Sequence, residues 1–166
     1  MINEELQQQI ERLEQQIKDL KVKLAEKVEK KPYEVKVPED IGNYYFVSEC
    51  GAINLLKDVF FSVDYEKVYQ CGLAFKTREE AEQHDRERIL LFKLHEWAEE
   101  RNGGWTPDWK NCGNKYIVKY IHETRGFEIA YTWSFNYFSK LPVFKSEELC
   151  YEFIKEFGEE IKEVLC

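Results

Sequence analysis

Three histidines, five cysteines and one loop with two tryptophans are the residues of this 166-residue chain whose types could carry chemistry. His84, His95 and His122 have no second His or Cys at ligand spacing. His84 and His95 fall on one face of a predicted helix, but 11 residues of helical rise place them about 16 Å apart, too far to share a metal. Cys50, Cys71, Cys112, Cys150 and Cys166 are odd in number and no pair is spaced C-x-x-C, so neither a disulfide framework nor a zinc ribbon is expected. They read as reduced thiols, with Cys150 acting as a small hydrophobe on the apolar face of a helix. Gly103-Gly104 lacks the flanking pattern and lysine of a phosphate loop, and no G-x-S-x-G occurs. The pairs Glu79/Glu80 and Glu159/Glu160 read as helix surface, since carboxylate catalysis needs shielded and unequal environments. The expectation is a protein that is not an enzyme and has no metal and no cofactor.

The most unusual segment is Asn102-Gly103-Gly104-Trp105-Thr106-Pro107-Asp108-Trp109-Lys110-Asn111. Two tryptophans flank a Pro-Asp turn. They can plug the edge of a domain, or they can anchor an interface, where tryptophan is a preferred residue. They can also stack on bases, with Lys110, Lys115 and Lys119 nearby for phosphate. Trp105, Asp108, Trp109, Lys110, Lys115 and Tyr116 are therefore the candidate partner- or ligand-binding residues. The outward residues of 116–137, with Tyr116 or Tyr120, form a second candidate surface.

These residues need elements to position them. Leu6, Ile10, Leu13, Ile17, Leu20 and Leu24 are spaced alternately by 4 and 3, the seam of a heptad coiled coil over residues 1–31. Ile10, Ile17 and Leu24 take position a, and Leu6, Leu13 and Leu20 take position d. Branched residues at a with Leu at d favour a parallel dimer. The g-to-e pairs, Gln9 with Glu14 and Gln16 with Lys21, are not ion pairs, so these pairs do not enforce a partner or an orientation. Lys30, Lys31, Pro32 and Pro38 mark the exit into a linker over 32–41.

Gly42-Asn43-Tyr44-Tyr45-Phe46-Val47 is similar to Gly113-Asn114-Lys115-Tyr116-Ile117-Val118, 71 residues later. Phe75-Lys76-Thr77-Arg78-Glu79-Glu80 is similar to Phe144-Lys145-Ser146-Glu147-Glu148, 69 residues later. Two matches at nearly equal offsets suggest a duplicated module. Thr77 and Ser146 are expected to cap helices over 78–101 and 147–165, with Thr77-x-x-Glu80 a capping box. Ala81, Leu91, Leu94, Trp97 and Ala98 are the expected buried residues of the first of these helices. Leu149, Cys150, Phe153, Ile154, Phe157, Ile161, Val164 and Leu165 form the apolar face of the second. The alternation of Phe127, Ile129, Tyr131, Trp133, Phe135 and Tyr137 with smaller or polar residues predicts a strand, turned back on strand 115–122 at Thr124-Arg125-Gly126. The first module predicts strands near 43–48, 52–61 and 67–75. The expected fold is α+β: a coiled-coil helix followed by two antiparallel strand–strand–strand–helix repeats, 42–101 and 115–166, joined by the tryptophan loop 102–114.

Net charge is −8, concentrated in the helices: 77–101 carries −3 and 146–166 carries −5, whereas 102–145 carries +3. An acidic protein repels phosphate backbones, which argues against general nucleic-acid binding and for basic surfaces on protein partners. No apolar run reaches the roughly 18 residues of a membrane span, and the N-terminus has no apolar signal segment, so a cytoplasmic protein is expected.

A Tyr-Tyr-aromatic strand after a short coiled coil, Phe-Lys-Thr-x-Glu-Glu-Ala-Glu at 75–82, Leu94-His95-Glu96-Trp97-Ala98-Glu99-Glu100-Arg101-Asn102, Pro107-Asp108-Trp109, a Lys-Tyr-x-Val strand and Phe-Lys-Ser-Glu-Glu-Leu together form a pattern. It resembles a group of small uncharacterised bacteriophage and prophage proteins of Gram-positive bacteria, over nearly the whole chain. The resemblance implies a setting, the cytoplasm of an infected or lysogenic host, and brings no catalytic residue. It points to a homo-oligomeric protein that binds and inhibits a host anti-phage effector, such as a nuclease or CRISPR complex. The alternatives are an oligomer that sequesters a nucleotide signal and a phage structural or assembly protein.

Overall fold

The computed structural model describes residues 2–28, 33–59, 63–133 and 139–166. The chain divides into two compact units, Met1–Lys36 and Val37–Cys166. The end of the expected coil at 29–31 and the expected strand ends at 60–61 and 134–137 lie outside the described residues.

The first unit is one helix, α1 (Ile2–Val28). Leu6, Ile10, Leu13, Ile17, Leu20 and Leu24 are between 50% and 64% exposed.

The second unit is mixed α+β and contains two three-stranded antiparallel sheets. β1 (Tyr45–Val47), β2 (Ile53–Leu55) and β3 (Ala74–Phe75) form the first, in the order β2-β1-β3. β4 (Lys115–Ile121), β5 (Gly126–Thr132) and β6 (Val143–Phe144) form the second, in the order β5-β4-β6. In each sheet the earliest strand is central and both neighbours are antiparallel to it. Tyr45 pairs with Phe75 and Phe46 with Ala74; Tyr116 pairs with Phe144 and Ile117 with Val143. Tyr45 and Phe46 precede Tyr116 and Ile117 by 71 residues, and Ala74 and Phe75 precede Val143 and Phe144 by 69.

The first module departs from the expected three strands and a helix. The expected strand 67–75 is mostly a helix, α2 (Tyr65–Gln70), followed by a two-residue β3. Asp64 caps it by accepting a bond from Lys67 N at 3.1 Å, and Gly72 at φ +73° turns the chain out of it. A short apolar alternation fits either period, and the local cap decides between them. The expected strand 52–61 stops at Leu55, where a single 3-10 turn, Leu56–Asp58, buries Leu56.

The helix α3 (Arg78–Asn102) starts at a complete capping box. Glu80 N donates to Thr77 Oγ1 at 3.1 Å, and the Glu80 carboxylate accepts from Thr77 N at 3.2 Å. It ends at Gly103, whose φ of +62° is the left-handed stop that glycine adopts at little cost. The N-terminal half lies against the first sheet, where His84 meets Phe75 at 4.8 Å. The C-terminal half supplies Leu90, Leu94 and Ala98 to the main core. Leu91 and Trp97, expected inside, are half-buried at the margin of that core, and Leu90 takes the interior position.

The helix α4 (Glu147–Leu165) buries Cys150, Phe153, Phe157, Gly158 and Ile161. A Cβ at Gly158 would stand 3.1 Å from the Phe127 ring, so the close approach of α4 to β5 needs the missing side chain. Ser146 makes no capping bond, contrary to the sequence expectation. The Glu148 carboxyl is held below its usual range by its own backbone N–H and by the nearby Ser146 hydroxyl.

Thr77→Ala is therefore expected to cost about 1 kcal/mol of stability. Ser146→Ala is expected to cost distinctly less, since it removes no bond to the helix backbone. Urea denaturation of the two variants beside the parent chain measures the difference; equal losses would contradict the assignment of the caps.

Candidate functional site

The tryptophan loop is held from both ends. Asn102, buried at the end of α3, donates from Nδ2 to Val143 O at 3.0 Å and accepts from Lys145 N at 3.1 Å, which ties the loop's start to β6. Lys145 Nζ donates to Asn102 O at 2.9 Å. Trp105 is half-buried and lines an open groove of about 520 Å³ with His95, Pro107, Leu141 and Pro142. Asp108 accepts from Lys110 N at 2.9 Å, closing the Pro-Asp turn, and the Lys110 side chain is exposed.

Lys115 stands differently from its sequence expectation. Only 2% of it is exposed, and its ammonium donates to Asn111 O and Gly113 O, both at 2.8 Å. The same ammonium lies 5.5 Å from the centre of the Trp109 ring. A buried charge needs such partners, and these bonds fold the loop onto β4. Lys115 therefore does not present its charge to a phosphate. Tyr116 follows it on the opposite face of β4 and packs against the main core. The six candidate residues thus divide: Trp109 and Lys115 clasp each other, Trp105 lines its own groove, and Tyr116 faces the other side of the sheet.

The titratable groups do not converge. His95 Nε2 is 3.0 Å from Lys140 O, and His122 sits edge-on to Tyr120 at 5.0 Å. Among the described residues no three His, Cys, Asp or Glu side chains are placed to hold a metal ion. Burial pushes the Cys150 thiol up to about 12. The Cys50 thiol is lowered, chiefly by the Ser48 hydroxyl 3.2 Å away and also by the backbone at Ala52.

A different site emerges between α3 and α4. Lys93, Glu96, Trp97, Glu99, Glu100, Glu156 and Phe157 line an open groove of about 490 Å³. Its floor is aromatic, because Trp97 packs at 5.7–6.3 Å against Phe144, Phe153 and Phe157. Two of the chain's own cations rest on that floor: Lys93 Nζ lies 5.1 Å from the Phe157 ring, and the Arg101 guanidinium 5.3 Å from Trp97. Each is also paired outward, Lys93 with Glu160 at 2.7 Å and Arg101 with Glu152 at 3.8 Å. Glu96, Glu99, Glu100 and Glu156 are exposed, and no cation pairs with them among the described residues. Ring faces attract cations, and each such contact contributes roughly 0.5–1 kcal/mol at an exposed site. The groove thus suits a positively charged side chain. Sequence reading located the acidity of the two helices but not the groove, which depends on which faces of α3 and α4 meet. The local signal was Glu96-Trp97-Ala98-Glu99-Glu100, an aromatic set among carboxylates.

No helix among the described residues is long and apolar enough to cross a membrane. No family model matches the chain, and neither the curated proteins nor the solved structures provide a match.

Two outcomes follow from this geometry. Lys115→Met leaves two loop carbonyls without their donor and is expected to cost about 1–3 kcal/mol, with Trp109 emission shifting to longer wavelength as the loop lifts. Denaturation followed by fluorescence checks both. For the thiols, a lowered Cys50 pKa keeps thiolate present as the pH falls below the ordinary value of 9.0, whereas Cys150 stays protonated. Timed alkylation at pH 8 with mass spectrometry is expected to modify Cys50 fastest and Cys150 slowest, and Ser48→Ala to slow Cys50.

Proposed function

We propose that this chain is a non-enzymatic, phage-encoded binding protein that holds a basic surface of a host protein in the α3/α4 groove, with a nuclease or CRISPR-type defence effector as the kind of target. The observation that carries the reading is the aromatic floor ringed by four carboxylates without a cation partner among the described residues. Proteins that handle nucleic acid display lysines and arginines for phosphate, and an acidic groove competes for those side chains. The working place is then the cytoplasm of an infected or lysogenic bacterium.

The active form in this reading is a parallel dimer. The open stripe on α1 has strict a/d spacing, and a second copy covers it without a change in either chain. The antiparallel alternative also matches the six apolar layers, but it places Glu14 against Glu14 of the second copy. The equal strand order and matched pairings of the two sheets further support an origin by duplication of one strand–strand–strand–helix unit, with α2 a later elaboration of the first copy. Nucleotide sequestration has less support, since Lys115 is committed inside the loop.

The variant Glu96→Lys/Glu99→Lys/Glu156→Lys reverses the groove on exposed positions. Immobilised parent protein is expected to retain a basic protein from host lysate and to release it as salt rises, and the folded variant to retain it at least tenfold less. Equal recovery by both, or none by either, overturns the proposal.

A further inference from the structure

The rings of the α3/α4 groove already carry cations of the chain itself, and the way these are held differs between the two ends. Lys93, Trp97 and Arg101 follow one another at four-residue intervals on α3, and Glu160, Glu156 and Glu152 do so in reverse order on α4. The outer positions pair across the helices, Lys93 with Glu160 at 2.7 Å and Arg101 with Glu152 at 3.8 Å. Residues four apart share a helix face, so the middle position sets Trp97 opposite Glu156, and both line the groove. An indole thus stands where the ladder has a cation on either side. The Glu156 carboxylate has no ion-pair partner among the described residues. The Trp97 ring takes its cation from the next turn, where the Arg101 guanidinium lies 5.3 Å from the ring centre. Arg101 therefore divides itself between Trp97 and Glu152. Its ion pair is long, and both side chains of the pair are more than half exposed, so water and salt weaken the hold.

We infer that Arg101 is an internal stand-in for an arginine side chain of the bound partner, which replaces it on Trp97 and bonds to Glu156. A planar guanidinium stacks on a ring and bonds to a carboxylate at the same time, whereas an ammonium is a compact, strongly hydrated point charge. The middle of the ladder offers that combination, a ring face beside an unpaired carboxylate. The displaced Arg101 keeps Glu152, so the exchange strands no charge. Lys93 stays in place at the other end, because its bond to Glu160 is short and the ring beneath it is Phe157 instead of Trp97. The inference rests on the acidic groove as the binding surface and narrows its ligand from a basic surface to an arginine side chain.

Fluorescence anisotropy tests it. The full-length chain is titrated at low salt into a labelled peptide of three arginines separated by Gly-Ser, and into its lysine counterpart. The parent is expected to bind the arginine peptide at least threefold tighter than the lysine peptide. Arg101→Gln is expected to tighten arginine binding at least threefold, and Glu156→Gln to weaken it at least threefold. Lys93→Gln removes the same charge from the same groove but leaves Trp97 covered, and its effect is expected to stay below twofold. All three substitutions are at exposed positions, and circular dichroism checks that each variant is folded. Equal tightening by Arg101→Gln and Lys93→Gln overturns the stand-in, because charge alone then explains the gain. No tightening by Arg101→Gln, no loss with Glu156→Gln, or equal binding of the two peptides overturns it as well. In each of these results the peptide still binds and the acidic groove stands; binding by neither the parent nor any variant overturns the groove too.

Discussion

Trp97 meets three phenylalanine rings at once, and that contact sets the distance between α3 and α4. Phe144 and Phe153 are fully buried beneath it, and Phe157 nearly so. Each such ring contributes roughly 1.5–3 kcal/mol by leaving water, so the seam is a large share of what holds the second unit together. The indole itself is only half-buried, because it forms the roof of the core and the floor of the groove. Packing and surface chemistry are therefore one feature. The rings bring Glu96, Glu99 and Glu100 of α3 near Glu156 of α4, and Lys93 and Arg101 offset part of the resulting repulsion by lying on the same aromatic faces.

The helix α3 extends this constraint to the rest of the unit. Its first turns serve the first sheet and its last turns the second, so both sheets are positioned by one rigid element with a defined start and stop. Where it stops, Asn102 bonds to Val143 of β6 and to Lys145 just beyond it, and Lys115 draws the following loop onto β4. The polar groups that looked most available for ligand chemistry are spent on closing this connection. The groove's carboxylates are not, and that difference in commitment directs the functional reading away from the tryptophan loop and toward the helices.

Periodic features were legible in the sequence. The 4/3 spacing of α1, the box at Thr77, the glycine stop at 103 and the hairpin at 124–126 all depend on neighbours close in the chain. The short α2 was not, because Asp64 and Gly72 outweigh six residues of ambiguous apolar spacing. The choice of Leu90 over Leu91 for the interior depends on the angle at which α4 crosses, which one helix cannot encode alone. The placement of Lys115 was not legible for a related reason: its partners are carbonyls, and carbonyl direction has no signature in residue type. The groove was half-legible, since composition showed acidic helices while only packing shows that their carboxylates share a floor.

In the proposed reading, surface carboxylates around a half-buried ring give the groove a preference for cations and a sensitivity to salt. The most direct measurement is an NMR titration of the full-length protein, labelled at the indole nitrogens of its four tryptophans, with an arginine-rich peptide. The account predicts a saturable shift of the Trp97 indole signal, suppressed by salt, while the signals of Trp105, Trp109 and Trp133 stay in place. A Trp97 signal that does not move, or movement at Trp105 or Trp109 in its stead, would contradict it.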